Sequence, residues 1–99
     1  MIVALVPDLM DRSRVSAALP DATFVRDAPS CAGAAVVLVD LGRHSADVAA
    51  VRRAAPTARI VAFGAHVDEE RLALARADGA DVVLPRSQFF RDPAAAAGV

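Results

Sequence analysis

Cysteine is rare in this sequence, and two of the aromatic residue types are missing. The 99 residues include a single cysteine, Cys31, and no Trp, Tyr, Lys or Asn. One cysteine excludes an internal disulfide bond and any metal site built from several cysteines. Because Cys31 lies in an alanine-rich stretch, we expect it to be a small buried apolar residue and not a redox centre.

Strong charge of one sign and long apolar runs are also absent. The formal net charge is −1, and no basic stripe of the kind that marks a nucleic-acid-binding protein is visible. No apolar stretch reaches the ~18–20 residues that a membrane-spanning helix needs. Residues 1–8 carry no basic leader and too short an apolar run for a signal peptide, so we expect a cytoplasmic protein. Neither nucleic acid nor membrane is an expected partner.

Common catalytic and nucleotide-binding motifs do not occur. No GxGxxG sequence follows an apolar run, and no P-loop sequence is present. The serines lack the strand–turn–helix context of a nucleophile elbow. We therefore expect a protein that is not an enzyme and that needs no organic cofactor.

What the sequence does contain is a packed-core composition. Hydrophobic residues make up 56% of the chain and are mostly Ala, Val and Leu, which is typical of a folded domain. The length suits one domain, residues 1–99.

Short apolar runs recur along the chain and predict β-strands. They are continuous and not alternating, as expected for strands that are covered on both faces of a parallel sheet. The predicted strands are residues 2–6, 35–39, 59–63 and 81–84, with a weaker edge strand at residues 22–25.

Helical patterns separate the strands. Residues 11–19, 45–55 and 68–77 begin with polar capping residues, Ser45 among them, and the third helix ends at Asp78-Gly79. Residues 26–33 are too few for a crossover helix, since a parallel crossover needs about 10–12 residues. Residues 91–99 allow two helical turns at most. The alternation predicts a doubly wound parallel α/β sheet with shortened second and last helices.

Three segments resemble the receiver domains of response regulators. Residues 59–89 read RIVAFGAHVDEERLALARADGADVVLPRSQF, and the GADVVLPR part is the most specific. The runs AAVVLVDL and IVALVPD are similar to receiver strands that end in functional acids. The resemblance implies a flavodoxin-like (CheY-like) fold with strand order 2-1-3-4-5 and a site at the carboxyl ends of the strands.

The same resemblance assigns roles to individual residues. It places Asp40 at the phospho-acceptor position and makes Asp8 and Asp40 the ligands of a possible Mg²⁺. The first acid of the usual pair is replaced by Pro7, which weakens a magnesium site. Gly64 takes the place of the hydroxyl residue that contacts the phosphoryl group, and Arg86 takes the place of the lysine.

These departures change the expected chemistry. Gly64 has no hydroxyl, so no side chain there can follow a phosphate. Arg86 can bind an oxyanion, but its planar fork does not replicate a lysine point charge. Ser87 stands where a proline usually follows the lysine. Asp11 could join the acids, although capping the first helix is its expected role.

Three functional hypotheses remain open. The first is a non-catalytic pseudo-receiver that binds a protein partner or forms a homodimer, because missing helices should leave apolar sheet surface exposed. In it, Arg86 is a structural counter-ion of Asp8 and Asp40. The second is an active single-domain response regulator, phosphorylated on Asp40 with Mg²⁺. The third is a small-ligand or metal sensor that uses His44 and His66, which should lie in loops near the same end of the sheet.

Overall fold

The apolar runs form a five-stranded, fully parallel sheet with strand order β2-β1-β3-β4-β5. The computed structural model describes all residues from 1 to 99. Its strands are β1 (Ile2–Leu5), β2 (Thr23–Phe24), β3 (Val36–Asp40), β4 (Arg59–Gly64) and β5 (Val82–Pro85). The predicted fold class, strand order and strand positions are confirmed.

Helices cover both faces of this sheet. They are α1 (Leu9–Ala18), α2 (Leu41–His44), α3 (Val48–Ala54), α4 (Glu69–Ala77), α5 (Arg86–Arg91) and α6 (Pro93–Ala97). No helix combines the length and hydropathy that crossing a bilayer requires.

The helix predicted at residues 45–55 begins later than expected. Residues Ser45–Asp47 form a 3₁₀ turn, and α3 starts at Val48 without a side-chain cap. Ser45 is not the N-cap because the preceding segment, Leu41–His44, is already helical as α2. The chain therefore passes from one helical segment into the next and has no extended residue at which a cap could form.

One sheet face lacks a full helix but is nevertheless covered. The link between β2 and β3 contains only a 3₁₀ turn, Pro29–Cys31, as the shortened second helix predicted. Cys31 and Ala28 are buried against the strand side chains Val3, Leu5, Val37 and Val39. Burial raises the pKa of the Cys31 thiol, with a smaller contribution from Asp27. The expectation of exposed apolar sheet surface is wrong, because small residues let the turn lie close to the strands.

The opposite face is covered by α1 and the two short C-terminal helices. Phe63 of β4 stacks on Phe89 of α5, with ring centroids 4.3 Å apart. Asp92 caps α6 by accepting a hydrogen bond from the Ala95 N–H, and Ala97 is buried. Helices this short are marginal in isolation, so packing on the sheet is what stabilises them.

The end of α4 is as the sequence predicts. Gly79 has a positive φ of 114°, and its N–H donates to the Arg76 carbonyl while the Ala80 N–H donates to the Ala75 carbonyl. This pair of bonds is a Schellman motif, which favours glycine at the position after the C-cap.

Asp81 connects the ends of two strands and a helix. Its Oδ2 accepts hydrogen bonds from the Ile60 N–H at 2.8 Å and from Arg52 Nη2 at 2.6 Å. The same guanidinium donates to the Gly79 carbonyl. These bonds lower the pKa of Asp81, the backbone bond from Ile60 contributing most and Arg52 less.

We expect Asp81→Ala to lower the free energy of unfolding by about 1–2 kcal/mol at about pH 7. A carboxylate with a lowered native pKa stabilises the fold above its unfolded pKa of ~3.9 and loses that contribution as pH falls through the native value. The difference from wild type should therefore shrink in urea unfolding as pH falls below about 4. Asp21→Ala, at an exposed aspartate, is the control. A difference that stays constant down to the lowest pH would contradict this assignment.

Candidate functional site

A polar cavity of about 410 Å³ lies at the carboxyl ends of the strands. It brings together the four residues to which the resemblance assigns roles: Asp8, Asp40, Gly64 and Arg86. Its remaining lining residues are Pro7, Asp11, Gly42, Arg43, Ala65, Asp68 and Arg71. Four carboxylates and three guanidinium groups thus surround one opening.

Asp40 ends β3 and begins α2. Its side chain is almost fully buried, and Oδ1 accepts a hydrogen bond from the Gly42 N–H at 2.9 Å. This bond caps α2, the helical turn of residues 41–44. One oxygen of the phospho-acceptor position is therefore already hydrogen-bonded.

Asp8, and not Asp11, caps the first helix. Asp8 Oδ1 accepts from the Asp11 N–H at 2.9 Å, so α1 begins at Leu9. The prediction that Asp11 serves as the cap is wrong. The capping role falls to Asp8 because Asp8 has the extended backbone that a cap requires, whereas Asp11 lies within the first turn.

Asp11 instead forms the central ion pair of the cavity. Arg86 Nη2 lies 2.8 Å from Asp11 Oδ1 and 2.9 Å from Oδ2, and Asp11 is only 5% exposed. Arg86 Nη1 is 4.0 Å from Asp40 Oδ1, beyond hydrogen-bond distance. Arg86 was expected to neutralise Asp8 and Asp40, but its bonded partner is Asp11.

The charged form of Arg86 is strongly favoured in this setting. The hydrogen bond to Asp11 is the largest cause that raises the pKa of Arg86, and the charges of Asp11, Asp40 and Asp8 add to it against a smaller opposing effect of burial. The guanidinium also lies 5.6 Å from the ring centroid of Phe63 and 5.2 Å from that of Phe90. Two aromatic rings and one carboxylate therefore fix its position.

Gly64 lies at the end of β4, where leucine side chains limit the available space. A Cβ added at Gly64 would lie 3.3 Å from the Leu41 Cβ and 3.4 Å from Leu72 Cδ2. A serine or threonine hydroxyl at this position would need Leu41 to move by a few tenths of an ångström.

The acidic side chains are not grouped as a metal site. No cluster of three or more His, Cys, Asp or Glu residues is arranged to hold a metal ion. Asp11, the third carboxylate near Asp8 and Asp40, has both oxygens bonded to Arg86. Asp11 therefore adds no free oxygen to the ligands that an octahedral Mg²⁺ would need. Magnesium binding by Asp8 and Asp40 stays a prediction.

Neither histidine lines the cavity. His44 ends α2, where its Nδ1 lies 2.8 Å from Asp47 Oδ2, and it is not in a loop as expected. His66 is exposed in the connection between β4 and α4. A sensor site built from both histidines and both aspartates would need all four side chains in one place. The structure places neither His44 nor His66 in the cavity that holds Asp8 and Asp40.

Sequence reasoning missed one pair at the rim. Arg71 Nε lies 3.2 Å from Asp68 Oδ2, and Arg71 Nη1 donates to the Leu41 carbonyl at 3.3 Å. The only sequence signal was the acidic start of α4, which indicates a helix N-terminus and not a cavity wall.

Comparison with known proteins identifies the fold. The sequence matches no protein-family model, and no curated protein is significantly similar to it. Among solved structures, a response regulator protein from Burkholderia pseudomallei with a phosphorylated aspartic acid, calcium ion and citrate superimposes with a TM-score of 0.75 at 19% identity. The match covers 97% of this chain and 64% of that one, so the chain corresponds to part of the longer protein. The receiver-like fold inferred from the sequence is confirmed.

The Arg86–Asp11 pair can be tested by a double-mutant cycle. Asp11→Ala should lower the free energy of unfolding by about 2 kcal/mol, because a charged hydrogen bond to a buried carboxylate is lost. Combined with Arg86→Met, it should show a coupling energy of about 1 kcal/mol, at the modest end because Arg86 is 39% exposed. Asp21→Ala with Arg86→Met is the matched control cycle and should be additive. Additivity in both cycles would show that the pair contributes nothing to stability.

Proposed function

We propose that this chain is a pseudo-receiver, a non-catalytic interaction module that keeps the receiver fold without its aspartyl-phosphate switch. The observation that carries this proposal is the Arg86–Asp11 ion pair. The cation nearest Asp40 is bonded to another carboxylate instead of being free for a phosphoryl group.

The charge balance around Asp40 supports the proposal. Transfer of a phosphoryl group to a carboxylate places several negative oxygens in one site, and catalysts stabilise them with metal ions and free cationic groups. Here Arg86 would have to leave Asp11, which would then be a buried charge without a partner. That cost opposes any movement of Arg86 toward a phosphorylated Asp40.

The environment of Gly64 supports it further. In receivers a hydroxyl at this position would follow the phosphoryl group and transmit the change. Gly64 has no such group, and the Leu41 and Leu72 side chains border the space beside it. Even a phosphorylated Asp40 would lack the side chain that reports its state.

One observation favours the alternative of an active response regulator. Asp40 and Asp8 line the same open cavity, so a small phosphodonor can reach them. The two hypotheses therefore make opposite predictions for the same experiment.

Incubation with acetyl phosphate and Mg²⁺, followed by intact-mass measurement, should show no phosphoryl adduct. Addition of beryllofluoride should leave the amide resonances of residues 40–42 and 64–65 unchanged. An adduct that forms in wild type and disappears in Asp40→Asn would establish the active regulator and remove the pseudo-receiver proposal.

A restored variant shows whether that assay can detect activity in this fold. Pro7→Asp, Gly64→Ser and Arg86→Lys together replace three of the four departures from the receiver pattern; Ser87 is kept. Serine is chosen over threonine because of the short distance to Leu41. We expect this triple variant to gain Mg²⁺-dependent beryllofluoride binding, and the same variant with Asp40→Asn to lose it.

An interaction module also needs a contact surface. The exposed large apolar side chains lie outside the sheet: Met1, Leu9, Met10, Val67, Leu74 and Val99. Leu9 and Met10 are adjacent on α1 and are 78% and 77% exposed. Neighbouring exposed apolar side chains of this size are typical of contact surfaces.

We expect light scattering at micromolar concentration to show a homodimer. Its contact surface should be formed by these exposed side chains and not by the sheet. Leu9→Ser with Met10→Ser should shift the mass toward one chain, whereas Val67→Ser with Leu74→Ser tests the α4 side. A wild-type monomer throughout would contradict self-association and would leave a different protein as the partner.

A further inference from the structure

A second concavity, outside the polar cavity, lies between α1 and α5. Its volume is about 550 Å³, and its lining residues are Arg14, Arg86, Ser87, Phe90 and Arg91. All charged groups in this lining are guanidinium groups, and no carboxylate is among them. We call it the arginine concavity.

Two of its arginines have no carboxylate partner. Arg14 and Arg91 are exposed, and neither guanidinium takes part in the ion pairs of the protein. Arg86, the third guanidinium of the lining, is paired with Asp11. The lining itself thus carries positive charge and no acid, in a chain whose overall net charge is −1.

The Phe90 ring contacts two of these cations. The Arg14 guanidinium carbon lies 4.7 Å from the Phe90 ring centroid, and that of Arg86 lies 5.2 Å from the same centroid. Both guanidinium groups line the same concavity, so an anion bound there would lie near positive charge from each of them. Because Phe90 and Asp11 already restrict the two side chains, less rotamer freedom is lost on binding.

We propose that the arginine concavity binds a doubly charged oxyanion group of the phosphate monoester type. Guanidinium forks match phosphate oxygens in shape and charge, and the Ser87 hydroxyl is a further donor in the lining. The ligand is either free phosphate or a phosphorylated side chain of another protein. Asp40 does not line this concavity, although Arg86 lines both it and the polar cavity.

The test is a titration with inorganic phosphate, followed by the NMR signals of the arginine Nε–H groups and the residue 87–91 amides. We expect saturable shifts confined to these groups at constant ionic strength, with chloride producing none. Arg14→Gln and Arg91→Gln should each weaken binding about 10-fold, since each removes a charge-assisted bond. Arg53→Gln removes the same charge from exposed α3 and should leave the affinity unchanged.

Two further measurements complete the test. One identifies the source of the anion, and the other distinguishes failure of this proposal from failure of the proposed function. A phosphoserine peptide that binds about 10-fold more tightly than inorganic phosphate would assign a phosphoprotein ligand, whereas equal affinity would assign the free anion. Asp40→Asn should bind as wild type does, whatever the result with acetyl phosphate. Shifts that do not saturate, or an Arg53→Gln loss equal to that of Arg14→Gln, would overturn the proposal.

Discussion

The buried carboxylate of Asp11 is the constraint on which the rest of the site depends. A charge that is 5% exposed must be paired or it destabilises the fold. Arg86 provides the pairing through one nitrogen that donates to both carboxylate oxygens. Because this cation is bonded to Asp11, its movement toward an oxyanion on Asp40 would leave a buried charge without a partner. The proposed lack of a phosphorylation switch rests on this pair.

The fold explains how two residues 75 positions apart come to form this pair. Asp11 lies in the first turn of α1, directly after β1, and Arg86 begins α5, directly after β5. All strands run parallel, so both helices start at the same rim of the sheet. The ring of Phe63, near the end of β4, lies 5.6 Å from the guanidinium carbon of Arg86. Each contribution comes from a different strand end.

Sequence patterns were sufficient to predict the fold but not the ion-pair partner of Arg86. Continuous apolar runs predicted the parallel strands, and the Asp78-Gly79 stop and the short link before β3 were correctly placed. Two helix starts were wrong, because whether Asp8 or Asp11 caps depends on backbone angles that a sequence does not display. The predicted partner of Arg86 was wrong for a related reason. The distances from its guanidinium to Asp11 and to Asp40 differ by only about 1 Å, and a sequence does not display them. The expected exposed sheet surface was wrong because Ala28 and Cys31 pack more closely than a count of helices suggests.

Four aspartates at one opening would repel one another in a receiver-like cavity unless something neutralised them. In this chain each has an internal donor: the Asp11 N–H for Asp8, the Gly42 N–H for Asp40, Arg71 for Asp68 and Arg86 for Asp11. No buried side-chain nitrogen or oxygen in the protein lacks a hydrogen-bond partner. A metal ion at these carboxylates would have to compete with bonds that already exist. Arg43 lines the same cavity without a carboxylate partner. The concavity between α1 and α5 is the opposite case, since Arg14 and Arg91 bring charge to it without any acid to balance them. Under the two proposals, an anion binds at the α1–α5 surface and not at the strand ends.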